Sequence, residues 1–210
     1  MAKRQTDILE QLLQLYPDPT TELVHHNPFE LLVATMLSAQ CTDKRVNLVT
    51  PALFDAFPTA QTLAQATVED VRNYIKTINF FPTKAKNLVA MAKMLVVQHG
   101  GEVPSAREAL EALPGVGRKT ANVVMANAFA IPTFAVDTHV HRVANRLGWA
   151  TTKTPEQTEQ ILLKKIPNTW WIWGHHLLIL HGRAVCTARA PKCGECPVRE
   201  QCAFGKKLKQ

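Results

Sequence analysis

Three observations predict an all-α fold. Apolar residues recur at three- and four-residue spacing along nearly the whole chain, and alternating β-branched stretches bounded by turns are almost absent. The starts of the apolar runs also carry helix-capping residues. With 210 residues, 46% of them apolar and 20% charged, the chain has material for one large core or two small ones.

The elements follow in order. Ile8, Leu9, Leu12, Leu13 and Leu15 mark a first helix, stopped by Pro17 and Pro19. Asn27 as cap and Pro28 at the first helical position open a second, through Phe29, Leu32, Val33, Met36 and Leu37. Further starts are expected at Asp43, at Thr67 and near Thr83. Capping-box spacing at Ser105 to Glu108 opens a short helix to Leu113, and the same spacing at Thr154 to Gln157 opens one carrying Ile161, Leu162 and Leu163. Ile131-Pro132-Thr133 interrupts two helical stretches and reads as a crossing point between lobes. Trp170, Trp171 and Trp173 precede the aliphatic run Leu177 to Leu180 and are expected to anchor a core. Cys41, remote from the other cysteines, reads as a small buried hydrophobe.

Charge narrows the partners. Lysine and arginine number 24 against 17 acidic residues, a formal +7 that favours an acidic partner, nucleic acid first, although charge alone leaves other soluble roles open. No run of about eighteen apolar residues is present and the first residues lack a signal-peptide core, so the expected location is the cytoplasm, at the nucleoid in a bacterium, with no membrane partner.

Four of the five cysteines, Cys186, Cys193, Cys196 and Cys202, fall in the last 25 residues at the spacing C-x6-C-x2-C-x5-C. In a reducing compartment such a cluster reads as metal ligands, and four thiolates turn away oxygen-loving metals. Structural zinc commonly uses two paired knuckles, whereas here only Cys193 and Cys196 form one; an iron–sulfur cluster therefore suits the spacing better, with zinc left open. Residues 183 to 210 hold Arg183, Arg189, Lys192, Arg199, Lys206, Lys207 and Lys209 against Glu195 and Glu200, a basic surface with Arg189 and Lys192 inside the loop that Cys186 and Cys193 close.

Leu113-Pro114-Gly115-Val116-Gly117-Arg118-Lys119-Thr120 lies between two helical stretches and reads as a helix–hairpin–helix. Its glycines let the backbone turn tightly and offer bare N–H groups to an anion at the next helix N-terminus. Lys119 falls in that helix's first turn, where the dipole's positive end and Arg118 disfavour a further positive charge; this serves an amine nucleophile, while position alone fits a phosphate-binding lysine equally well. Asp137 reads as the N-cap of the next helix, a fixed carboxylate able to balance positive charge at a sugar carbon or to accept a proton there. His139, His175, His176 and His181 form no nucleophile–base constellation and read as interior or phosphate-contacting groups.

Taken jointly, these residues resemble the endonuclease III branch of the helix–hairpin–helix DNA glycosylases. The resemblance rests on Ser38-Ala39-Gln40, Leu113 to Asn122, Val136-Asp137-Thr138-His139, His175-His176, Leu180-His181-Gly182-Arg183 and the four cysteines in order. It implies a [4Fe-4S] cluster on those cysteines and two helical lobes flanking a DNA-binding cleft: a six-helix barrel over 21–132 with the hairpin, and an iron–sulfur domain of 1–20 plus 133–210. It implies action on damaged double-stranded DNA as a bifunctional glycosylase and AP lyase, with Lys119 as nucleophile and Asp137 as the catalytic carboxylate; a monomer is the default expectation for an enzyme that must clamp a duplex. Expected DNA contacts are Gln40, Phe80, Gly115, Val116, Gly117, Arg118, Thr120, His139, Arg183, Arg189 and Lys192. Gln40 and an aliphatic wedge near Ile78-Asn79-Phe80 would fill the gap left by a flipped base. The chain departs from the family there, with Asn79 in place of a usual glycine and Phe80 in place of leucine, and Ala190 stands where a basic residue is frequent. A monofunctional adenine-type glycosylase and a non-catalytic iron–sulfur DNA-binding protein are the competing readings.

Overall fold

The computed structural model describes residues 2–207; Met1 and Lys209, the latter part of the basic tail, lie outside the described residues. The helices are α1 (Ala2–Leu15), α2 (Pro28–Ser38), α3 (Asp43–Ala56), α4 (Ala60–Gln65), α5 (Val68–Ile75), α6 (Phe81–His99), α7 (Arg107–Ala112), α8 (Arg118–Phe129), α9 (Thr138–Leu147), α10 (Pro155–Lys165) and α11 (Trp171–Ala184). Short 3-10 turns follow at Asn168–Trp170, Cys193–Glu195, Arg199–Gln201 and Gly205–Lys207, and no strand occurs among the described residues. None of the described helices is long and apolar enough to cross a membrane. The chain divides into two compact units, 21–130 and 1–20 with 131–210.

Local chemistry explains most boundaries. The Asn27 side chain accepts a hydrogen bond from the Glu30 N–H at the start of α2, and Thr42, Thr67 and Thr154 do the same for α3, α5 and α10. At α10 only half the expected box forms, because the Gln157 side chain accepts from the Lys153 N–H instead of the cap residue's own. The box expected at Ser105 does not form. Helix α7 starts at Arg107 with Ala106 as its cap and no side-chain cap bond, so the Ser105 hydroxyl lies one residue too early to serve. Helix α4 was not expected; its signal is a box made of two threonines, Thr59 and Thr62, each hydroxyl accepting the other's backbone N–H.

The 21–130 unit is built around α2, whose residues Phe29 and Leu31 to Leu37 are all buried. A helix that is apolar on every side must be enclosed on every side, and α3, α6 and α8 pack against it. The other unit joins Ile8, Leu9 and Leu12 of α1 to Phe134, Val140, Val143 and Leu147 around α9, with Trp149, Leu162, Leu177 and Leu178. Gly174 of α11 is needed here, since a Cβ at that position would stand 3.1 Å from the Phe134 ring. Trp170 and Trp171 pack against this core, but Trp173 is 51% exposed and only meets Trp170 edge to face. The expectation of three anchoring indoles holds for two, because the third points off the buried side of α11.

Two substitutions test the core assignment. Leu32→Ala removes a side chain with no exposed surface and is expected to cost about 2–5 kcal/mol, whereas Val97→Ala, at a side chain 82% exposed, should stay within about 0.5 kcal/mol. Urea unfolding followed by far-UV circular dichroism measures both; equal losses would refute the burial pattern.

Candidate nucleic-acid interface and cysteine loop

Helices α7 and α8 are joined by a hairpin that Leu113 and Val116, both buried, pin to the 21–130 unit. The Val116 N–H donates to the Leu113 carbonyl at 3.0 Å, closing the turn. Its two glycines do different things. Gly115 has φ +79°, and a Cβ there would stand 2.9 Å from Cβ of Asn87, so both backbone and space demand glycine. Gly117 is extended backbone with open space around it, and it precedes α8 without any side-chain cap. The first turn of α8 thus presents its N–H groups with no side chain in front of them, the arrangement that receives an anion. Lys119 is exposed in this turn, between Arg118 and the half-buried Thr120. Arg107 of α7, hydrogen-bonded to the buried Asn122 side chain of α8 and 3.9 Å from Glu111, braces the two arms of the hairpin.

In the same unit, Gln40 after α2 and Phe80 before α6 both adopt left-handed backbone, φ +56° and +59°. The Asn79 side-chain amide donates to the Gln40 carbonyl at 2.6 Å, which brings the two turns together. Gln40, Thr42, Arg45, Thr77 and Asn79 line a shallow open pocket with Cys41. Cys41 is therefore half-buried among polar groups, not in the apolar core, because it falls in the turn after α2 and beyond its enclosed face.

In the other unit, Asp137 is the N-cap of α9. One oxygen, Oδ1, accepts from the His139 and Val140 N–H groups, both at 2.8 Å, and the cap does not use Oδ2. His139 is half-buried, its Nδ1 3.1 Å from Nη2 of Arg142, while His175, His176 and His181 are interior.

The four C-terminal cysteines carry no disulfide and line one pocket with Val143, Leu147, Val185 and Phe204. Arg146 of α9 reaches into this loop: Nη1 donates to the Thr187 carbonyl at 2.7 Å and to Sγ of Cys186 at 3.3 Å, and Nη2 to the Ala188 carbonyl at 2.9 Å. Its guanidinium also lies 4.8 Å from the centre of the Phe204 ring. Arg142 adds bonds to the Cys186 carbonyl at 3.1 Å and the Gly182 carbonyl at 2.8 Å. Nε2 of His181 stands 3.5 Å from Sγ of Cys196, and burial pushes this histidine down to about 4, so its ring is neutral near pH 7. Arg183, Arg189 and Lys192 are exposed, and the Thr187 hydroxyl donates to the Ala190 carbonyl across the loop that carries the last two.

This donor set suits an iron–sulfur cluster. Burial and the neighbouring sulfurs push the Cys193 and Cys196 thiols up, so holding all four as thiolates calls for the positive charge of a bound metal centre. Four thiols lining a shared pocket, with Cys193 and Cys196 as the one short-spaced pair, match an iron–sulfur cluster better than mononuclear zinc.

Sequence reasoning missed Arg107, Asn122, Arg142 and Arg146. The arginine pair on α9 left a trace, since residues four apart share one helix face, but its partners lie about forty residues along the chain. The hairpin geometry makes a test: Gly115→Ala should cost about 1–2 kcal/mol through left-handed strain alone, before the Asn87 collision, and more than Gly117→Ala. Thermal melts of the two variants measure it, and the reverse order would refute the division of labour between the glycines.

Comparison with known proteins agrees with this geometry. Residues 33–168 match the HhH-GPD superfamily base excision DNA repair protein model, and residues 186–202 match the iron-sulfur binding domain of endonuclease III. The chain is 48% identical to endonuclease III of Haemophilus influenzae and 49% identical to that of Escherichia coli K12, in each case covering 98% of this chain and 97% of the relative. Its structure superposes with a TM-score of 0.93, at 43% identity over 99% of this chain and 98% of the other, on a trapped endonuclease III–DNA covalent intermediate described as an estranged-adenine complex. The chain belongs to the endonuclease III family of helix–hairpin–helix base excision repair proteins, DNA-binding enzymes with DNA glycosylase and AP lyase activity and a [4Fe-4S] cluster.

Proposed function

We propose that this chain removes oxidised pyrimidines from damaged duplex DNA through Lys119 and then cuts the strand 3′ to the resulting abasic site, working as a monomer in the cytoplasm, at the nucleoid in a bacterium. The carrying observation is the uncapped N-terminus of α8 behind the Gly115 turn, with Lys119 exposed in its first turn. The N–H groups from Gly117 to Thr120, with the Arg118 side chain, hold backbone phosphate beside the lesion, and Val116 anchors the turn that aims them.

The glycosidic carbon is out of reach inside a stacked duplex, so the damaged nucleotide is flipped out, and Gln40 and Phe80 fill the gap it leaves. The unprotonated Lys119 amine attacks C1′ and the base departs with the glycosidic bond's electron pair. Asp137, whose Oδ1 is committed to capping α9, offers Oδ2 to the positive charge that develops on the sugar. Opening of the sugar leaves an imine between Nζ and C1′, which acidifies C2′. Loss of a C2′ proton and expulsion of the 3′ phosphate then break the strand, and water releases the lysine. His139, Arg183, Arg189 and Lys192 contribute further phosphate contacts. Cys186, Cys193, Cys196 and Cys202 hold the [4Fe-4S] cluster, which when bound supplies four iron–thiolate bonds that tie the basic loop into a single body.

Borohydride reduction in the presence of a thymine-glycol duplex should trap a covalent protein–DNA adduct on a denaturing gel, and Lys119→Gln should abolish it; an adduct that persists in the variant would sink the nucleophile assignment. Asp137→Asn keeps a side chain that caps helices as well as aspartate does, so duplex binding and melting temperature should hold while single-turnover cleavage drops by about 100-fold or more. Near-normal cleavage would refute the role of Asp137. Cys202→Ser should lower iron and acid-labile sulfide in the purified protein, and an undiminished iron content would remove Cys202 from the ligand set.

A further inference from the structure

Among the described residues three non-glycine positions have left-handed backbone: Gln40, Phe80 and Ala130. Ala130 has an ordinary reason, ending α8 with its N–H on the Met125 carbonyl. The other two do not. Phe80 opens α6 without any side-chain cap bond and leaves 69% of its surface exposed, so it carries backbone strain and an unburied aromatic ring together. Gln40 is exposed and equally strained. Neither conformation serves the core.

Two side chains from the second turn hold the first in place. The Asn79 amide donates to the Gln40 carbonyl at 2.6 Å, and the Lys84 ammonium, from the first turn of α6, donates to the Leu37 carbonyl at 2.8 Å and the Ala39 carbonyl at 2.5 Å. Lys84 thereby satisfies carbonyls that the end of α2 leaves without helical partners. Asn79 does something separate: it fixes the one carbonyl whose own residue is left-handed, and it is the chain neighbour of the other left-handed residue, Phe80.

We infer that Asn79 is a positioning residue which locks Gln40 and Phe80 into one preformed wedge, so that the Phe80 ring stacks in the gap of the flipped nucleotide while the Gln40 amide meets the base opposite. The inference rests on the reading of Gln40 and Phe80 as gap-filling groups given above. An aromatic face stacks on any base, so such a wedge acts on the flipped state without reading sequence. Without Asn79 the side-chain hydrogen bonds described between the two turns are those of Lys84, which hold Leu37 and Ala39 but leave Gln40 free to relax from its strained conformation before DNA arrives.

The test uses the full-length, cluster-loaded protein and a duplex carrying 2-aminopurine opposite thymine glycol, whose fluorescence rises as the opposite base loses its stacking. Asn79 is exposed, so Asn79→Ala leaves the core untouched. It should bind undamaged duplex as tightly as the parent, yet bind the lesion duplex about fivefold more weakly and give a correspondingly smaller or slower fluorescence rise, the size of effect one lost hydrogen bond produces. On a Phe80→Ala background the further loss from Asn79→Ala should vanish, because there is no ring left to position. A parent-like fluorescence rise in Asn79→Ala, beside an impaired Phe80→Ala, would overturn the lock while leaving the gap-filling reading intact. An undiminished fivefold loss on the Phe80→Ala background would also overturn it, since Asn79 would then act by a contact of its own. A parent-like rise in Phe80→Ala would remove the gap-filling reading and the lock with it.

Discussion

The Arg146 guanidinium is the interaction on which the C-terminal part of the chain depends. Beyond α11 the described residues form only three-residue turns and bury few apolar side chains, so they have little hydrophobic reason to hold one shape. Their polar groups still need partners. One planar cation with several donors in a fixed fork meets that need, spanning Thr187, Ala188 and Cys186 while its flat face covers Phe204. The backbone of Arg146 closes the arrangement from the other direction, its carbonyl accepting from the Phe204 N–H at 2.9 Å. A lysine would offer a point charge in place of this fork. The same cation stands beside sulfurs that become anionic when they ligate iron, so its charge is balanced once the site is loaded.

Elsewhere, order is built from short polar devices at helix ends and apolar burial between them. Threonines begin α3, α4, α5 and α10, and Asn27 begins α2. Helices α6, α7, α8 and α11 lack a side-chain cap bond, and among these four α8 alone follows a glycine, so that no side chain stands at its cap position. A helix end whose donors go unused inside the protein is a modest cost to stability, and it is the cost expected where an external phosphate completes the cap. Asp137 shows the complementary economy: one oxygen does the structural task at α9, and the cap makes no use of the other, the oxygen to which the proposed mechanism gives the chemistry.

Features coded by neighbours in the chain were legible. Asn27-Pro28, Asp137, Thr154-Pro155 and the Gly115 turn could each be read from a few adjacent residues, and the structure places them as caps and a turn. The Ser105 box was misread because the pattern was present while the helix began one residue too late for it to engage. Helix α4 was missed because threonine stands at the position where glutamate or glutamine usually completes a box. Arg146, Arg107 and Lys84 were invisible for a different reason. Their partners are carbonyls and amides far along the chain or on another helix, and a backbone carbonyl has no residue type to recognise.

The three left-handed non-glycine residues among the described ones draw a line between what would make the molecule hardier and what the proposed wedge needs. At Ala130 a glycine would relieve the strained backbone and cost nothing but a methyl group, the kind of change that stabilising design seeks out. At Gln40 and Phe80 glycine would relieve the same strain by the same physics, and a procedure ranking substitutions by folding energy alone would favour all three alike. Under the gap-filling role proposed for Gln40 and Phe80, improving this enzyme's endurance therefore requires sparing those two strained positions, because there the tension serves the partner and not the fold.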